Sequence, residues 1–213
     1  MALSSLPAHP QRDVALEQYM TDGEVAATWM QAIRDSGDLT VQSDDGERPA
    51  TVCDLGAGNG VLGLAAVLCG AKRAWLVECD EAACSVAIAA TERLGLTDVI
   101  SVVHDRVLGR WDSGWTGGEA AITPDVIIMN PPWGRQTERA DRAFLDAAFA
   151  SPAGIIHVLH SAGASHIEGL AEAAGWTADR WLEGDLPLPA AYRHHEQRRG
   201  TTRCAMWRIR PQV

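Results

Sequence analysis

The sequence predicts an α/β protein built on a mostly parallel, doubly wound sheet. From residue 50 onward, apolar segments of strand length alternate with segments of helical periodicity, and strands such as VIIMN and GIIHVLH are apolar on both faces. Apolar residues on both faces are typical of a parallel sheet that helices cover on each side. Such sheets bind ligands at the carboxyl ends of their strands, so functional residues are expected there.

The predicted elements follow this alternation. Strands are predicted at 50–54, 73–78, 99–104, 124–129 and 155–159, and helices at 13–18, 21–35, 60–69, 81–94, 139–150 and 165–174. Thr21 and Glu24 fit a capping box that begins the second of these helices. The polar, acidic residues 36–48 are predicted to form a loop, and two extended stretches near 180–183 and 202–209 complete the chain, the last as an antiparallel strand.

Composition and charge restrict the class of protein. The 213 residues, of which 46% are hydrophobic and 22% charged, fit one domain, 1–213, with N-terminal helices and an acidic loop (1–48), a central core (49–160) and a C-terminal segment (161–213). Without a spanning apolar run, a secretory signal or paired cysteine spacing, we expect a cytoplasmic protein with reduced thiols and no metal.

The charge is unevenly distributed along the chain. The net charge is -10, yet residues 190–213 carry six arginines and one acid. This basic tail is a candidate contact for a polyanion, and a solvated arginine-rich loop is the alternative.

A glycine-rich turn, DLGAGNGVLG at 54–63, follows the first strand. Gly56, Gly58 and Gly60 let the chain turn sharply and let a ligand approach the backbone. From Gly58 the same letters also fit a dinucleotide fingerprint, so the turn alone leaves the cofactor open. An ordinary strand-to-helix turn is the third interpretation.

Acidic residues at the strand ends favour S-adenosylmethionine over a dinucleotide. Asp54 precedes the glycines, where it could meet an ammonium group and would repel a pyrophosphate. Glu78 ends the second strand and could accept hydrogen bonds from both ribose hydroxyls, and Asp105 follows the third and could accept from an adenine amino group. Together these groups describe S-adenosylmethionine. Asp80 is a further candidate for cofactor binding, and it is also expected to cap the next helix.

The turn Asn130-Pro131-Pro132-Trp133 follows the fourth strand and is predicted to be catalytic. Two prolines stop the strand and keep the chain extended, so the Asn130 side-chain oxygen and the Pro131 carbonyl can point the same way. Two convergent acceptors suit an NH2 group and would aim its lone pair at a methyl sulfonium. Trp133 offers a face for stacking, worth about 1–3 kcal/mol. An ordinary Asn-Pro turn beside a core tryptophan is the alternative.

Three other polar residues lie near these strand ends. His157 and His160 are three residues apart on a strand, so their side chains should point to opposite faces and should not share a metal. His160 is expected to face a substrate cleft. Arg135, just after the tryptophan, could bind a phosphate, with the start of a surface helix as the alternative.

These motifs resemble those of the class I, Rossmann-like amino-methyltransferases with an [DNS]PP[YFW] motif. Most of the chain is similar to the archaeal and eukaryotic family that methylates adenine N6 in small-subunit ribosomal RNA. The similarity extends from EQYMT at 17–21 through DLGAGNGVLGLAA, VECD and VIIMNPPWG to LPAAYRHH at 188–195. It implies a single Rossmann-like domain that uses S-adenosylmethionine, and it adds Gln18, Tyr19 and Thr21 to the donor site, with the capping box as an equal alternative for Thr21. Asn130 is also expected to line the donor site.

The resemblance also implies the substrate side and a partner. RNA contacts are expected from a set of aromatic and basic residues: Trp133, Arg135, His160, Tyr192, Arg193 and His195. The family works with a small zinc-binding activator subunit. Strand 99–104 is expected at the edge of the sheet with four uncharged apolar positions, so a partner is predicted to pair there.

The chain departs from that family at three places. Trp133 stands where phenylalanine is usual, 186–187 looks inserted, and a lysine-rich tail is arginine- and histidine-rich here. Two other functions stay open at this point. Methylation of a glutamine amide in a release factor would use the same two acceptors, and an inactive Rossmann-like binding module would retain the fold. The presence of Asp54, Glu78 and Asn130 disfavours the inactive module.

Overall fold

The computed structural model describes residues 21–112, 115, 121–133, 139–187 and 201–212. The predicted helix at 13–18 lies outside them. The helices of this part of the chain are α1 (Gly23–Asp35), α2 (Val61–Leu68), α3 (Glu81–Leu94), α4 (Arg142–Phe149) and α5 (His166–Ala173). Its strands are β1 (Thr40–Ser43), β2 (Gly46–Pro49), β3 (Thr51–Leu55), β4 (Arg73–Glu78), β5 (Ile100–His104), β6 (Val126–Met129), β7 (Ile155–Ser161), β8 (Trp176–Pro187) and β9 (Thr201–Pro211).

Seven strands form one sheet in the order β5-β4-β3-β6-β7-β9-β8. The strands from β5 to β7 pair in parallel, and β9 is antiparallel to both of its neighbours. The chain leaves β3 toward β5 and then returns to β6 on the other side of β3. This reversal places the carboxyl ends of β3 and β6 side by side, where doubly wound sheets bind ligands. The predicted fold class and the edge position of β5 are confirmed.

Helices cover both faces of the sheet. Residues of α1, α2 and α3, such as Trp29 and Leu64, pack into the core on one face. Residues of α4 and α5, such as Leu145 and Ile167, pack into the core on the other. The four side chains of β6 are buried between the two layers, each stabilising the fold by about 1.5–3 kcal/mol. None of the described helices has the length and apolar character needed to span a membrane.

The prediction of a loop at 36–48 is wrong. Strands β1 and β2 form an antiparallel hairpin there, with Thr40 opposite Pro49 and Ser43 opposite Gly46. Just before the hairpin, Asp38 is buried and accepts hydrogen bonds from His157 and from Arg208, which lies 170 residues away. The acidic composition suggested a solvated loop, but β9 supplies a charged partner that fixes this segment against the sheet.

The capping-box prediction for α1 is also wrong. Asp22 is the N-cap, and its side chain accepts a hydrogen bond from the backbone N–H of Glu24 at 2.8 Å. Because an aspartate directly before the helix satisfies the free amide, the Thr21 hydroxyl is available for a different contact. That contact lies in the candidate site.

Candidate active site

The glycine turn after β3 is held by backbone hydrogen bonds to β4. Gly56, Gly58 and Gly60 all have positive φ angles, of 72°, 56° and 81°. The N–H groups of Gly56 and Ala57 donate to the Val77 carbonyl at 2.9 and 3.0 Å. A Cβ at Gly56 would lie 2.7 Å from the ring of Phe144, whereas a Cβ at Gly58 would have no described atom within 4 Å. Gly58 therefore borders the space into which a ligand can approach.

Glu78 connects this turn to the start of α3. One carboxylate oxygen accepts from the Gly58 N–H at 2.8 Å, and the other accepts from the N–H groups of Cys79 and Asp80. Asp80 in turn accepts from the N–H groups of Ala82 and Ala83, so its predicted capping role is confirmed. Because carboxylate oxygens can accept more than one hydrogen bond, these contacts are compatible with the predicted contact of Glu78 with a ribose.

Asp54 is fully buried beneath the glycine turn. Its Oδ2 accepts from the Gly63 N–H at 3.0 Å, while Oδ1 has no hydrogen-bond partner among the described residues. Burial raises the pKa of Asp54 to about 7; the Gly63 N–H opposes this rise and the nearby charge of Glu78 adds to it. An unpaired buried acceptor is costly, and an ammonium group or a water molecule would satisfy it. The site thus fits the cationic end of the predicted donor.

Asp105 follows β5 on the same edge of the sheet. One oxygen accepts from the indole N–H of Trp115 at 2.8 Å, and the other accepts from the Arg106 N–H. Its own N–H donates to the Glu78 carbonyl at 2.9 Å, which joins the ends of β4 and β5. The sequence did not indicate the contact from Trp115, nor that of Phe144 with the glycine turn. The position of Trp115 shortly after Asp105 is a weak signal at most.

The Asn130 amide is held from both sides. Its Nδ2 donates to the Thr21 hydroxyl at 3.0 Å, although the two residues are 109 positions apart. Its Oδ1 accepts from the Trp133 indole N–H at 3.1 Å. An indole N–H can only donate, so this bond fixes which end of the amide is the oxygen. Thr21 is therefore brought to the NPPW turn, as a partner of Asn130 and not as a helix cap.

His160 lies behind Trp133. The two rings stack with centroids 5.7 Å apart and an angle of 26° between their planes. His160 is only 2% exposed, so the prediction that it faces a substrate cleft is corrected: it is buried and stacks on the tryptophan ring. His157 contacts Asp38 instead of this cluster, as its predicted opposite orientation requires.

Some of the remaining residues predicted to contact the donor or RNA are not described by the structure, and several arginines of the basic tail form ion pairs. Gln18, Tyr19, Arg135, Tyr192, Arg193 and His195 lie outside the described residues. In the basic tail, Arg203 pairs with Glu183, Arg208 with Asp38, and Arg210 with Asp179. These three pairs join the C-terminal strand to other parts of the protein, so the described part of the tail, 201–212, is not a surface of unpaired positive charge.

Comparison with known proteins assigns this chain to a family. The family model "Conserved hypothetical protein 95" matches residues 38–179. The chain belongs to this family. The motifs of this chain resemble those of rRNA adenine methyltransferases. The individual relatives confirm this resemblance.

Two relatives align with nearly the whole of this chain. An uncharacterised protein of Methanocaldococcus jannaschii is 30% identical over 205 residues, which cover 93% of this chain and 86% of that protein. The rRNA N(6)-adenosine-methyltransferase METTL5 of Danio rerio is 27% identical over 200 residues, which cover 92% of this chain and 89% of that protein.

A solved structure shows the same fold. The Pyrococcus horikoshii protein PH1948, assigned provisionally to the RNA methyltransferases, is 28% identical with a TM-score of 0.81, covering 100% of this chain and 96% of its own. The class I methyltransferase fold predicted for this family member is therefore confirmed.

Proposed function

We propose that this protein transfers a methyl group from S-adenosylmethionine to N6 of an adenine in small-subunit ribosomal RNA. The observation that carries this proposal is the position of Asn130. It follows β6 at the point where the strand order reverses, next to the glycine turn of β3, with its amide oriented by two other side chains. The whole-length similarity to an rRNA N(6)-adenosine-methyltransferase supports the same chemistry.

The donor side is built from the carboxyl ends of β3, β4 and β5. When bound, S-adenosylmethionine supplies a methyl group on a positively charged sulfur that leaves as a neutral thioether. The unpaired oxygen of Asp54 suits the ammonium group of this molecule, and Gly58 leaves room for it beside the backbone. Glu78 and Asp105 are assigned to the ribose and the adenine. Gln18, Tyr19 and Thr21 complete the proposed donor site.

The acceptor side orients an amine. The Asn130 oxygen and the Pro131 carbonyl accept hydrogen bonds from the two protons of the adenine NH2 group, which aims the nitrogen lone pair at the methyl carbon. Trp133 stacks on the base, which must be unpaired or flipped out of a helix to reach the turn. The nitrogen becomes positively charged on forming its new bond to carbon, so it is acidic enough to lose a proton to water without a strong general base.

Labelled donor distinguishes this function from its nearest competitor. The protein is incubated with labelled S-adenosylmethionine and either ribosomal RNA or a translation release factor. We expect label in the RNA, recovered as N6-methyladenosine after digestion to nucleosides. Label in the release factor would instead favour methylation of a glutamine amide, and an absence of donor binding by calorimetry would favour an inactive module.

We propose further that a small zinc-binding activator subunit pairs with β5. Within the described parts of the chain this strand pairs with one neighbour, β4, and exposed strand edges are normally covered or protected by charge. Ile100, Val102 and Val103 carry no charge that would discourage pairing. Co-expression with such a subunit should give a stable complex on gel filtration with higher turnover than the protein alone. Full activity as an isolated monomer would contradict this proposal.

A further inference from the structure

A cluster of three titratable side chains lies behind the NPPW turn. Asp141 precedes α4 and His160 lies near the end of β7, and both are almost fully buried; His166 begins α5, with 45% of its side chain exposed. Asp141 Oδ2 is 3.2 Å from His160 Nε2 and accepts a short hydrogen bond from His166 Nε2. One ligand atom from each group lies within 4.8 Å of the others, a spacing that would also allow a metal ion.

The hydrogen bonding of His160 argues for a different role. The Ser161 N–H donates to His160 Nδ1 at 2.8 Å, so Nδ1 acts as the acceptor and Nε2 carries the ring proton. A protonated Nε2 lies 3.2 Å from the Asp141 carboxylate, a charge contact without hydrogen-bond geometry, and has no lone pair to offer a metal. Burial alone would raise the pKa of Asp141, but the contacts from His160 and His166 hold it below its usual value. The carboxylate is therefore charged and attracts both imidazole rings.

The orientation of His160 is transmitted to the catalytic motif. Its ring stacks on Trp133, the Trp133 N–H donates to Asn130 Oδ1, and Asn130 Nδ2 donates to Thr21. We propose that Asp141, His160 and His166 form a positioning relay that fixes the Trp133 ring and, through it, the Asn130 amide; this inference rests on the proposed function. The relay places the base-stacking surface and the amine acceptor in one connected group.

Tryptophan makes this connection possible. A phenylalanine ring could stack on His160 and on a base, but it has no N–H with which to orient Asn130. If the support were lost and the indole tilted, the stacked base and the amide oxygen would shift together. Displacements of about 1 Å at reacting groups can lower rates by about 100-fold, so a residue that does not touch the substrate can still control turnover.

Substitutions of His160 separate the ring from its hydrogen bonds. His160→Ala removes both, His160→Gln retains a polar group but no ring, and His160→Phe retains a ring. On ribosomal RNA we expect His160→Ala and His160→Gln to lower kcat by about 10–100-fold. His160→Phe keeps the ring but loses the contact with Asp141, so it should lower kcat by about tenfold, as Asp141→Ala does, with the donor Kd changed by less than about twofold in every case. Glu168→Gln, on the exposed surface of α5, is the control and should match wild type.

A double-mutant cycle tests whether Asp141 acts through His160. Asp141→Ala should lower kcat by about tenfold in the wild-type background and by less than about twofold in the His160→Ala background, because the relay is already broken there. Fully additive losses would overturn the relay. A parallel loss of donor affinity and thermal stability in His160→Ala would also overturn it, since that result indicates a general structural defect.

Nitrogen-15 NMR of the histidine rings provides a readout independent of turnover. We expect His160 as the Nε2–H tautomer in the wild-type protein and a change in its signals in Asp141→Ala. An Nδ1–H tautomer, or activity that a chelator removes and zinc restores, would identify a metal site and refute the relay. If wild type methylates RNA and His160→Ala equals it, only the relay fails; if wild type does not methylate RNA, the proposed function fails first.

Discussion

The two sides of the candidate active site are held together in different ways. On the donor side, the fixed groups are mainly backbone amides: Gly56 and Ala57 bond to Val77, and Glu78 accepts from three backbone N–H groups. On the acceptor side, the contacts join side chains, from His160 through Trp133 to Asn130 and Thr21. A side-chain network can be broken by one truncation that leaves the backbone in place. Donor binding and turnover should therefore respond to different substitutions.

Among the proposed variants, Asn130→Ala should separate turnover from donor binding most clearly. This change removes one of the two proposed acceptors for the target amine and the partner of Trp133, so kcat should fall by about 100-fold or more. Because the glycine turn is held by other contacts, the donor Kd measured by calorimetry should stay within about threefold of wild type. Gln42→Ala, which truncates an exposed amide on β1, is the control. Loss of donor binding in Asn130→Ala would refute the division between the two sides.

The next largest effect tests the donor side through Gly58→Ala. The positive φ of 56° makes a side chain unfavourable there by about 1 kcal/mol, and the new Cβ would occupy the open side of the turn. We expect the donor Kd to rise by about tenfold or more and Tm to fall by about 2–4 °C.

Gly37→Ala is a matched control for backbone strain. Gly37 also has a positive φ, of 85°, and no described atom within 4 Å of an added Cβ, but it follows α1 and precedes the β1–β2 hairpin. It should lower Tm similarly and leave donor affinity unchanged. Equal donor affinities in the two variants would show that Gly58 does not border the donor.

A moderate change in donor affinity is expected when a change of pH alters the charge of Asp54. Its raised pKa, about 7, means that the carboxyl is protonated below neutrality, and a bound ammonium would have to displace that proton. Donor affinity should therefore increase by about tenfold between pH 5.5 and 7.5 and then level off. Folding has the opposite sign: the unfolded chain loses its proton near the ordinary value of 3.8, whereas buried Asp54 keeps its proton up to about 7, so the stability that this group contributes falls as pH rises between those values. In Asp54→Asn the pH dependence of the donor Kd in calorimetry should disappear; its persistence would assign it to another group.

The smallest effect is expected for Trp115→Phe. The ring remains to fill the buried space, but Asp105 loses the indole N–H that orients one of its oxygens. Donor affinity should weaken by about two- to fivefold with little change in kcat at saturating donor, because the change removes one hydrogen bond that orients Asp105 but leaves the carboxylate itself in place. Trp111→Phe changes the neighbouring ring, which packs edge to face on Trp115, and serves as the comparison. Equal Kd values for both variants would remove Trp115 from the donor site.

The geometry of the proposed donor side was predictable because its contacts are local in sequence. Glycines follow a strand, acids follow the next two strands, and the Asp80 cap lies beside its helix. Backbone geometry alone brings such residues to one edge of a parallel sheet. Helices α2 and α3 and strand β4 begin and end within one residue of their predicted limits for the same reason.

The predictions that were wrong concern residues whose partners are distant in sequence. The spacing of Thr21 and Glu24 predicts a capping box, yet the partner of Thr21 is Asn130. The acidic composition of residues 36–48 predicts a solvated loop, yet Asp38 pairs with Arg208. The position of His160 near a strand end predicts a place in a cleft, yet its buried ring stacks on Trp133. In each case the decisive partner comes from a distant part of the chain that no local pattern specifies.

The doubly wound sheet, the glycine turn and the turn formed by an asparagine, two prolines and an aromatic residue follow from local patterns, since periodicity and local backbone chemistry are sufficient for these. Which side chains hold that asparagine depends instead on contacts across the fold. Hydrogen bonds and ring contacts between residues on different elements exist only after the sheet and its helices have packed. For that reason the link from Asp141 through His160 and Trp133 to Asn130 could be found only in the folded protein.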